Sequence, residues 1–251
     1  MTSHTFKNGV GTIEFNGDII NIGQNAFYNC NNITNIIIPD SVTSIGESAF
    51  SGCSGLTSID IPRGVTIIGD RAFSGCSGLT SIDIPNGVTT LDTETFWECR
   101  NLSSVIMPNR ITVIGVSAFG RCTNLTNIEI PNSVTSIDFQ AFYYCEKLTS
   151  VNIPNSVTNI GYYAFQNCES LTSVTIGSGI TSIPGYVFAY CNELTSIISL
   201  SATAPTISSD TFRDIKTNGT LYVPQGSTGY DTWMQNSSYY LGYYNWTKVE
   251  Q

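Results

Sequence analysis

The chain carries eight cysteines at equal spacing, and thiols are the side chains here most able to do chemistry. An even number of cysteines suggests a disulfide framework in an exported protein, and thiolates also bind metals or act as nucleophiles. A Cys at one place in every repeat, beside Phe and Leu, instead favours a small buried hydrophobic residue. We predict free, unreactive thiols stacked inside the molecule, with disulfides between adjacent coils as the alternative. The eight are Cys30, Cys53, Cys76, Cys99, Cys122, Cys145, Cys168 and Cys191.

Acid–base groups are scarce. The chain has one histidine, His4, which lies before the repeats, so a Ser-His-Asp arrangement or a histidine-based zinc site is not expected in the repeats. Asp60 and Asp83 share one outward position in adjacent repeats, and Glu129 holds it two repeats later. Such carboxylates could titrate as a coupled pair or bind Ca²⁺ weakly, but a solvated acidic surface is the simpler interpretation. We predict no enzyme and no cofactor, and treat these three carboxylates as candidate partner-binding residues.

The composition excludes several classes of protein. Hydrophobic residues make up 41% of the 251 residues and charged residues 12%, with a net charge of −9. Disorder requires low hydrophobicity, and an acidic surface repels phosphate backbones, so neither a disordered chain nor a nucleic-acid partner is expected. No apolar run approaches the roughly 18 residues that span a bilayer. The first ten residues show no signal peptide, which leaves open whether Met1 is native or replaces a removed signal.

The cysteine spacing is one column of a 23-residue repeat. A Phe lies three residues before each Cys, from Phe27 to Phe188, and a Leu or Ile lies three residues after it. A Pro follows at nine residues from Pro39 to Pro154, and Gly177 takes its place in the next repeat. A fixed period of 20–50 residues is typical of stacked repeat architectures.

Each repeat contains a strand motif. In the second repeat Leu56, Ile59 and Ile61 follow the spacing L-x-x-L-x-L, and the period-two alternation predicts a strand with Ser58 and Asp60 facing outward. The rest of the unit returns the chain along the core. Apolar residues at i, i+1 and i+4, around Phe73, predict one short helical or 3₁₀ turn. A single unit cannot bury its apolar positions, so the coils must stack.

The pattern LTSIDIPxGVTxIGxxAFxxCSGLTSI resembles the BspA-like leucine-rich repeat family over about residues 15–199. The resemblance implies a leucine-rich repeat solenoid: a right-handed, curved superhelix of parallel β-strands with short helical or 3₁₀ turns, capped at both ends. The chain departs from ordinary leucine-rich repeats in lacking a buried Asn or Cys shortly after the strand. We therefore predict that a threonine column bridges the coils through its hydroxyls. Its members are Thr43, Thr66, Thr89, Thr112, Thr135 and Thr158.

The repeat pattern divides the chain into three parts. Residues 1–22 are an N-terminal entry coil or cap, in which Ile13, Phe15, Ile19 and Ile22 match the repeat columns. Residues 23–199 are eight 23-residue repeats. Residues 200–251 are a degenerate ninth repeat followed by an aromatic segment, which we interpret as a C-terminal cap, with a carbohydrate site as the alternative.

Outward positions that break the repeat are the candidates for binding. The outward strand column reads Ile37, Asp60, Asp83, Ile106, Glu129, Asn152, Thr175 and Ile198, between small side chains. This predicts a smooth, hydroxyl-rich face with an acidic middle and no aromatic anchor. The loops around the Phe column become aromatic in the later repeats, which predicts an exposed patch for a partner, or packing against the adjacent loops and cap. These candidates are Phe139, Tyr143, Tyr144, Tyr162, Tyr163, Tyr186 and Tyr190.

These observations predict a non-enzymatic protein-interaction or adhesion module. BspA-like proteins are implicated as bacterial cell-surface adhesins, so the resemblance implies an extracellular or cell-surface location and a host-matrix or cell-surface protein as partner. The alternative is a glycan-binding surface protein that uses the Tyr/Trp-rich loop edge and C-terminal tail. A carboxylate-based hydrolase is the third hypothesis. The ligand's identity, the binding face, the oligomeric state and Ca²⁺ binding at Asp60 and Asp83 stay open.

Overall fold

The computed structural model describes residues 3–7, 10–14 and 17–251, and for the first two ranges it describes the backbone alone. The strands of the first half are β1 (Ser3–Lys7), β2 (Val10–Glu14), β3 (Asn21–Ile22), β4 (Ser44–Ile45), β5 (Ile67–Ile68), β6 (Ser81–Asp83), β7 (Thr90–Leu91), β8 (Ser104–Ile106) and β9 (Val113–Ile114). Those of the second half are β10 (Ser136–Ile137), β11 (Ser150–Ile153), β12 (Asn159–Ile160), β13 (Ser173–Ile176), β14 (Ser182–Ile183), β15 (Ser196–Ser199), β16 (Thr206–Ile207), β17 (Thr220–Val223) and β18 (Thr247–Glu250). A 3₁₀ helix spans Leu241–Tyr244.

Apart from β1 and β2, the strands form two parallel rows, and each coil contributes at most one short strand to each row. The first row contains the predicted strand motif: β6 pairs with β8, and β11, β13, β15, β17 and β18 form a five-stranded sheet. The second row is made by the returning segments and comprises β3 to β5, β7–β9–β10–β12, and β14–β16. The register advances by one repeat, so Ile45 pairs with Ile68. The parallel β-solenoid is therefore confirmed, and the second row is an addition that the sequence pattern did not predict.

The predicted helical or 3₁₀ turn around Phe73 is wrong. The N–H groups of Ala72, Ser74 and Cys76 bond three residues back within the coil, while those of Arg71, Phe73 and Gly75 bond to carbonyls of the next coil. Arg71 and Gly75 have positive φ angles of 55° and 72°, which a right-handed helix does not tolerate. The alternation therefore produces consecutive turns, and half of the loop's donors hold adjacent coils together.

The strand predicted at Ile59 and Ile61 is not formed as regular structure. Residues 57–62 form no strand, but the expected alternation holds, with Ile59 buried and both Ser58 and Asp60 exposed. The Thr57 N–H donates to the Thr34 carbonyl at 3.1 Å, but no ladder of coil-to-coil backbone bonds continues along this segment. Because a strand requires a ladder of backbone hydrogen bonds to a neighbouring strand, this segment of the coil does not pair as a strand.

A stack of phenylalanine rings runs through the core. Successive rings are nearly parallel, with centroids 5.1–5.9 Å apart and interplanar angles of 3–10°. The rungs are Phe27, Phe50, Phe73, Phe96, Phe119, Phe142, Phe165, Phe188 and Phe212. The ring of Trp233 follows Phe212 at 5.4 Å and is fully buried. The stack is thus covered at its C-terminal end by an aromatic ring from the last segment.

The first coil is less buried than those that follow it. Phe27 and Cys30 are half-buried, whereas the residues in the same columns of later coils are buried. Ile22 is buried and Ile19 is half-buried, while β1 and β2 pair antiparallel. Phe15 and the side chains of His4 and Ile13 lie outside the described residues.

Threonine hydroxyls connect the coils as predicted. In five of the six predicted positions the hydroxyl donates to a carbonyl of the preceding coil, at 3.2–3.5 Å. These five are Thr43, Thr66, Thr112, Thr135 and Thr158. In the slot that lacks the usual Asn, Ser41 and Ser133 each donate to a carbonyl of the preceding coil at 2.7 Å. Hydroxyls therefore satisfy loop carbonyls that an amide side chain would otherwise serve.

Candidate functional site

The thiol column lies inside the solenoid. All eight cysteines are free, seven are buried, and Cys30 in the first coil is half-buried. Each buried thiol donates to the carbonyl oxygen of the Phe in the preceding coil, with Sγ–O distances from 3.0 Å for Cys53 to 3.4 Å for Cys168. The buried interpretation of the column is confirmed from Cys53 onward, and Cys30 is the exception.

Burial suppresses the reactivity of these thiols. Desolvation raises the pKa of Cys53 to about 11 and that of Cys99 to about 12, from an ordinary value of 9.0. It also raises the pKa of the other buried thiols, Cys76, Cys122, Cys145, Cys168 and Cys191. The thiolate is the nucleophile and the metal ligand, so these buried cysteines are poor candidates for either role at neutral pH.

The predicted carboxylates lie on the first strand row. Asp60, Asp83 and Glu129 are all exposed. Asp60 and Asp83 line one shallow groove, together with Ser58, Ser81 and other residues of the same coils. Glu129 lies two coils beyond Asp83 and does not line that groove. Within residues 17–251, no group of three His, Cys, Asp or Glu side chains is arranged to hold a metal ion.

Two isoleucines flank this acidic pair. Ile37 is 90% exposed and Ile106 is 61% exposed. Ile106 pairs directly with Asp83 in the β6–β8 ladder. Both isoleucines belong to the outward column predicted from the sequence, but they are not among the predicted binding candidates. The available signal was an apolar, β-branched residue at a position that faces solvent.

The aromatic edge, which we define as the seven aromatic candidates Phe139, Tyr143, Tyr144, Tyr162, Tyr163, Tyr186 and Tyr190, divides into exposed and packed rings. Phe139 is 42% exposed and Tyr162 is 55% exposed. Tyr163 lies between them, 5.5 Å from Phe139 and 6.3 Å from Tyr162, and it stacks on Tyr186 at 5.2 Å. Phe139, Tyr162, Tyr163 and Tyr186 therefore form one continuous cluster whose outer members face solvent.

Of the other three candidates, Tyr143 and Tyr144 pack against neighbouring side chains, and Tyr190 bonds through its backbone. Tyr143 and Tyr144 are half-buried, with ring centroids 4.5 Å apart, and burial raises the pKa of Tyr143. The Arg121 guanidinium lies 5.5 Å from the ring of Trp97 and 5.6 Å from that of Tyr144, which are cation–π distances. The backbone N–H of Tyr190 donates to the Arg213 carbonyl at 2.7 Å, next to the C-terminal segment.

Four tyrosines of the aromatic edge have left-handed backbones. Tyr144, Tyr163, Tyr186 and Tyr190 have φ angles between 56° and 64°. A non-glycine residue in this region costs about 1 kcal/mol or more. Gly52 and Gly75 avoid that cost at the positions equivalent to Tyr144 and Tyr190, whereas the column of Tyr163 and Tyr186 has positive φ angles at Ser48 and Arg71 as well. The later coils therefore present these aromatic rings despite a backbone that favours glycine.

A family model described as a BspA type leucine rich repeat region matches in six copies, over residues 2–126 and 112–238. A comparison with curated proteins finds no match. In the described part of the chain, no helix has the length and apolar character needed to cross a bilayer.

Several solved structures resemble the chain. The pneumococcal vaccine antigen PcpA is 21% identical, with a TM-score of 0.59 over 92% of this chain and 71% of that chain. A leucine-rich repeat protein of T. pallidum is 26% identical, with a TM-score of 0.47 over 66% and 73% of the two chains. A leucine-rich cell surface protein from Faecalibacterium prausnitzii is 24% identical, with a TM-score of 0.39 over 100% and 87%. The family match spans most of the sequence, and the chain belongs to the BspA-type leucine-rich repeat family.

Proposed function

We propose that this chain is a non-enzymatic interaction module of the bacterial cell surface that binds a host-matrix or cell-surface protein through its aromatic edge. Membership of the BspA-type family supports an interaction scaffold, and the resemblance implies the location outside the cell. Seven of the eight thiols are buried, so the exposed rings and carboxylates are the side chains of the described surface that a partner can contact.

The exposure of Phe139 and Tyr162 on adjacent coils carries this proposal. Burying large rings that remain exposed after folding favours association with a partner, and aromatic residues are enriched among binding hot spots. Tyr163 contacts Phe139 at 5.5 Å and Tyr162 at 6.3 Å, and Tyr186 in turn stacks on Tyr163 at 5.2 Å. The exposed rings are thus held in place before a partner arrives, which lowers the entropy cost of binding.

Binding to a panel of purified matrix proteins tests the proposal. The double variant Phe139→Ser and Tyr162→Ser removes the two exposed rings, and we expect it to weaken binding about tenfold or more. The matched control is Ile67→Ser, which removes an apolar side chain that is 58% exposed in the N-terminal half. Equal binding by the double variant and the parent chain would remove the aromatic edge as the site.

A second candidate function is glycan recognition. Tyr243, in the C-terminal segment, is 52% exposed and makes an edge contact with Tyr244 at 5.1 Å. Exposed tyrosine rings pair an apolar face with a polar hydroxyl, which suits the faces and hydroxyls of a sugar. A glycan array tests this function. Glycan recognition predicts array signals that disappear in Tyr243→Ser and Tyr162→Ser, together with no binding to matrix proteins.

A further inference from the structure

On the strand face of the first four coils, one outward column has an apolar residue at each end and two acidic residues in the middle. Ile37, Asp60, Asp83 and Ile106 occupy the same outward position in successive coils. Ile37 and Ile106 are 90% and 61% exposed, more than any other large apolar side chain described. We call these four residues the Ile–Asp–Asp–Ile column. It lies in the N-terminal half of the repeats, while Phe139 and the rest of the aromatic edge follow it in the chain.

The spacing of the column follows from the stacking of the coils. Asp83 pairs with Ile106 in a parallel ladder. The N–H of Thr80 donates to Thr57 at 3.3 Å, and that of Thr57 donates to Thr34 at 3.1 Å, which ties the earlier coils together at the same place. Parallel strands lie about 4.8 Å apart. Stacking at this spacing sets the Cα atoms of Asp60 and Asp83 about 5 Å apart, and those of Ile37 and Ile106 about 14 Å apart across three such spacings.

Among residues 17–251, the carboxylates in the column have no counter-ion. Neither Asp60 nor Asp83 forms an ion pair with a basic side chain of residues 17–251. Arg63 lines the same groove, at the turn that follows Pro62, without pairing to either carboxylate. Two like charges on adjacent coils repel each other, and a cation placed between them relieves that repulsion. The net charge of −9 adds a long-range attraction for a basic partner.

We propose that the Ile–Asp–Asp–Ile column binds an extended segment of a partner protein with the pattern apolar–x–Arg–x–apolar. In an extended strand, side chains on one face recur about every 6.7 Å, so residues one, three and five span about 13 Å. The outer apolar side chains then meet Ile37 and Ile106, and the arginine falls midway between Asp60 and Asp83. A planar guanidinium can donate to both carboxylates at once, which a compact ammonium does less well.

A peptide titration tests this site. The probe is a synthetic peptide with the core Val-Thr-Arg-Thr-Val, titrated into the full chain and followed by NMR chemical-shift changes, which measure weak binding and locate it. We expect shifts at the four column residues and binding about tenfold weaker for the Arg-to-Glu peptide. Added salt should also weaken binding, because an exposed charge contact is screened. Shifts located elsewhere, or equal affinity for both peptides, would overturn the proposal.

Variants of the chain separate the contributions. Asp60→Asn with Asp83→Asn keeps the shape and removes the charge, and Ile37→Ser with Ile106→Ser removes the apolar ends. Each pair of substitutions is expected to weaken binding of the arginine peptide about tenfold. Glu129→Gln removes an exposed carboxylate from the same column outside the site and should leave affinity unchanged. Arg63→Gln removes a repelling charge and should tighten binding about twofold, whereas weaker binding would contradict the placement of the arginine.

The site is independent of the aromatic edge. The variant Phe139→Ser with Tyr162→Ser should bind the arginine peptide as the parent chain does. Loss of peptide binding in that variant would place the peptide on the aromatic edge and overturn the present proposal. Loss of matrix binding alone would bear only on the proposed function.

Discussion

The thiol of Cys76 donates a hydrogen bond to the carbonyl oxygen of Phe50 in the preceding coil, with an Sγ–O distance of 3.1 Å. The same pairing recurs in every coil from Cys53 to Cys191. The cysteine column therefore stabilises the stack in two ways, by filling the core beside the phenylalanine rings and by satisfying a carbonyl there.

Replacing a buried thiol in the middle of the stack should destabilise the protein. In Cys99→Ala, the core loses a buried sulfur and the Phe73 carbonyl loses its donor, so we expect the free energy of unfolding to fall by about 1–2 kcal/mol. Urea unfolding measures this change. Cys30→Ala is the control, because Cys30 is half-buried and a smaller effect is expected. Equal losses in both variants would contradict the role of burial.

The buried thiols predict a loss of stability at alkaline pH. In the folded chain burial raises the pKa of Cys99 to about 12, while the same thiol in the unfolded chain ionises near 9.0. Above pH 9 the folded state holds more protons, so the free energy of unfolding decreases as pH rises towards 12. Each such thiol contributes up to about 1.4 kcal/mol per pH unit. Urea midpoints between pH 8 and 11 test this, and Cys99→Ala should show a shallower slope.

The indole of Trp233 should protect the C-terminal end of the core. Its ring packs against Phe212 at 5.4 Å with a tilt of 54°, and its Nε1–H donates to the Pro205 carbonyl at 2.8 Å. In Trp233→Ala we expect faster amide hydrogen exchange around Phe212 and Phe188, since in a repeat array each coil is stabilised by its neighbours. Exchange around Phe73 serves as the internal control. Uniform acceleration along the whole chain would instead indicate global unfolding.

Backbone conformation predicts different costs for two glycines. Gly75 has a φ of 72°, and a Cβ added there would meet only Gly52 atoms at 3.5 Å, an ordinary contact. Gly75→Ala should therefore cost about 1 kcal/mol, through backbone strain alone. Gly23 has no positive φ, and a Cβ added there would meet nothing within 4 Å. Gly23→Ala should be neutral or slightly stabilising, because it restricts the unfolded chain. Thermal unfolding compares the two.

The sequence pattern predicted the stacking and the core columns because the 23-residue period places apolar residues at the same positions in every coil. Phe73, Cys76 and Leu79 are fully buried, as their columns indicated. The pattern did not predict the turn between them. Whether a loop residue such as Arg71 adopts a positive φ depends on the hydrogen bond it makes to the next coil, and that partner lies about one repeat away in sequence.

The candidate surfaces were predictable only in part. The outward column was legible from period-two alternation, and the aromatic edge from residues that break the repeat. Which rings stay in solvent depends on their neighbours, since Tyr163 is covered by Phe139 and Tyr186 while Tyr162 is not. The proposed partner contacts themselves stay predictions.

The sequence by itself determined the family, the parallel stacking and the inward columns, because a single coil cannot bury its own apolar residues and identical coils can. The tertiary structure decided what lies outside that periodic core. Ile37 and Ile106 remain exposed to solvent between small side chains. The packing of adjacent loops covers Tyr163 and leaves Tyr162 exposed. The solvent exposure of a side chain depends on neighbours in several adjacent coils, and the sequence of one repeat does not specify those neighbours.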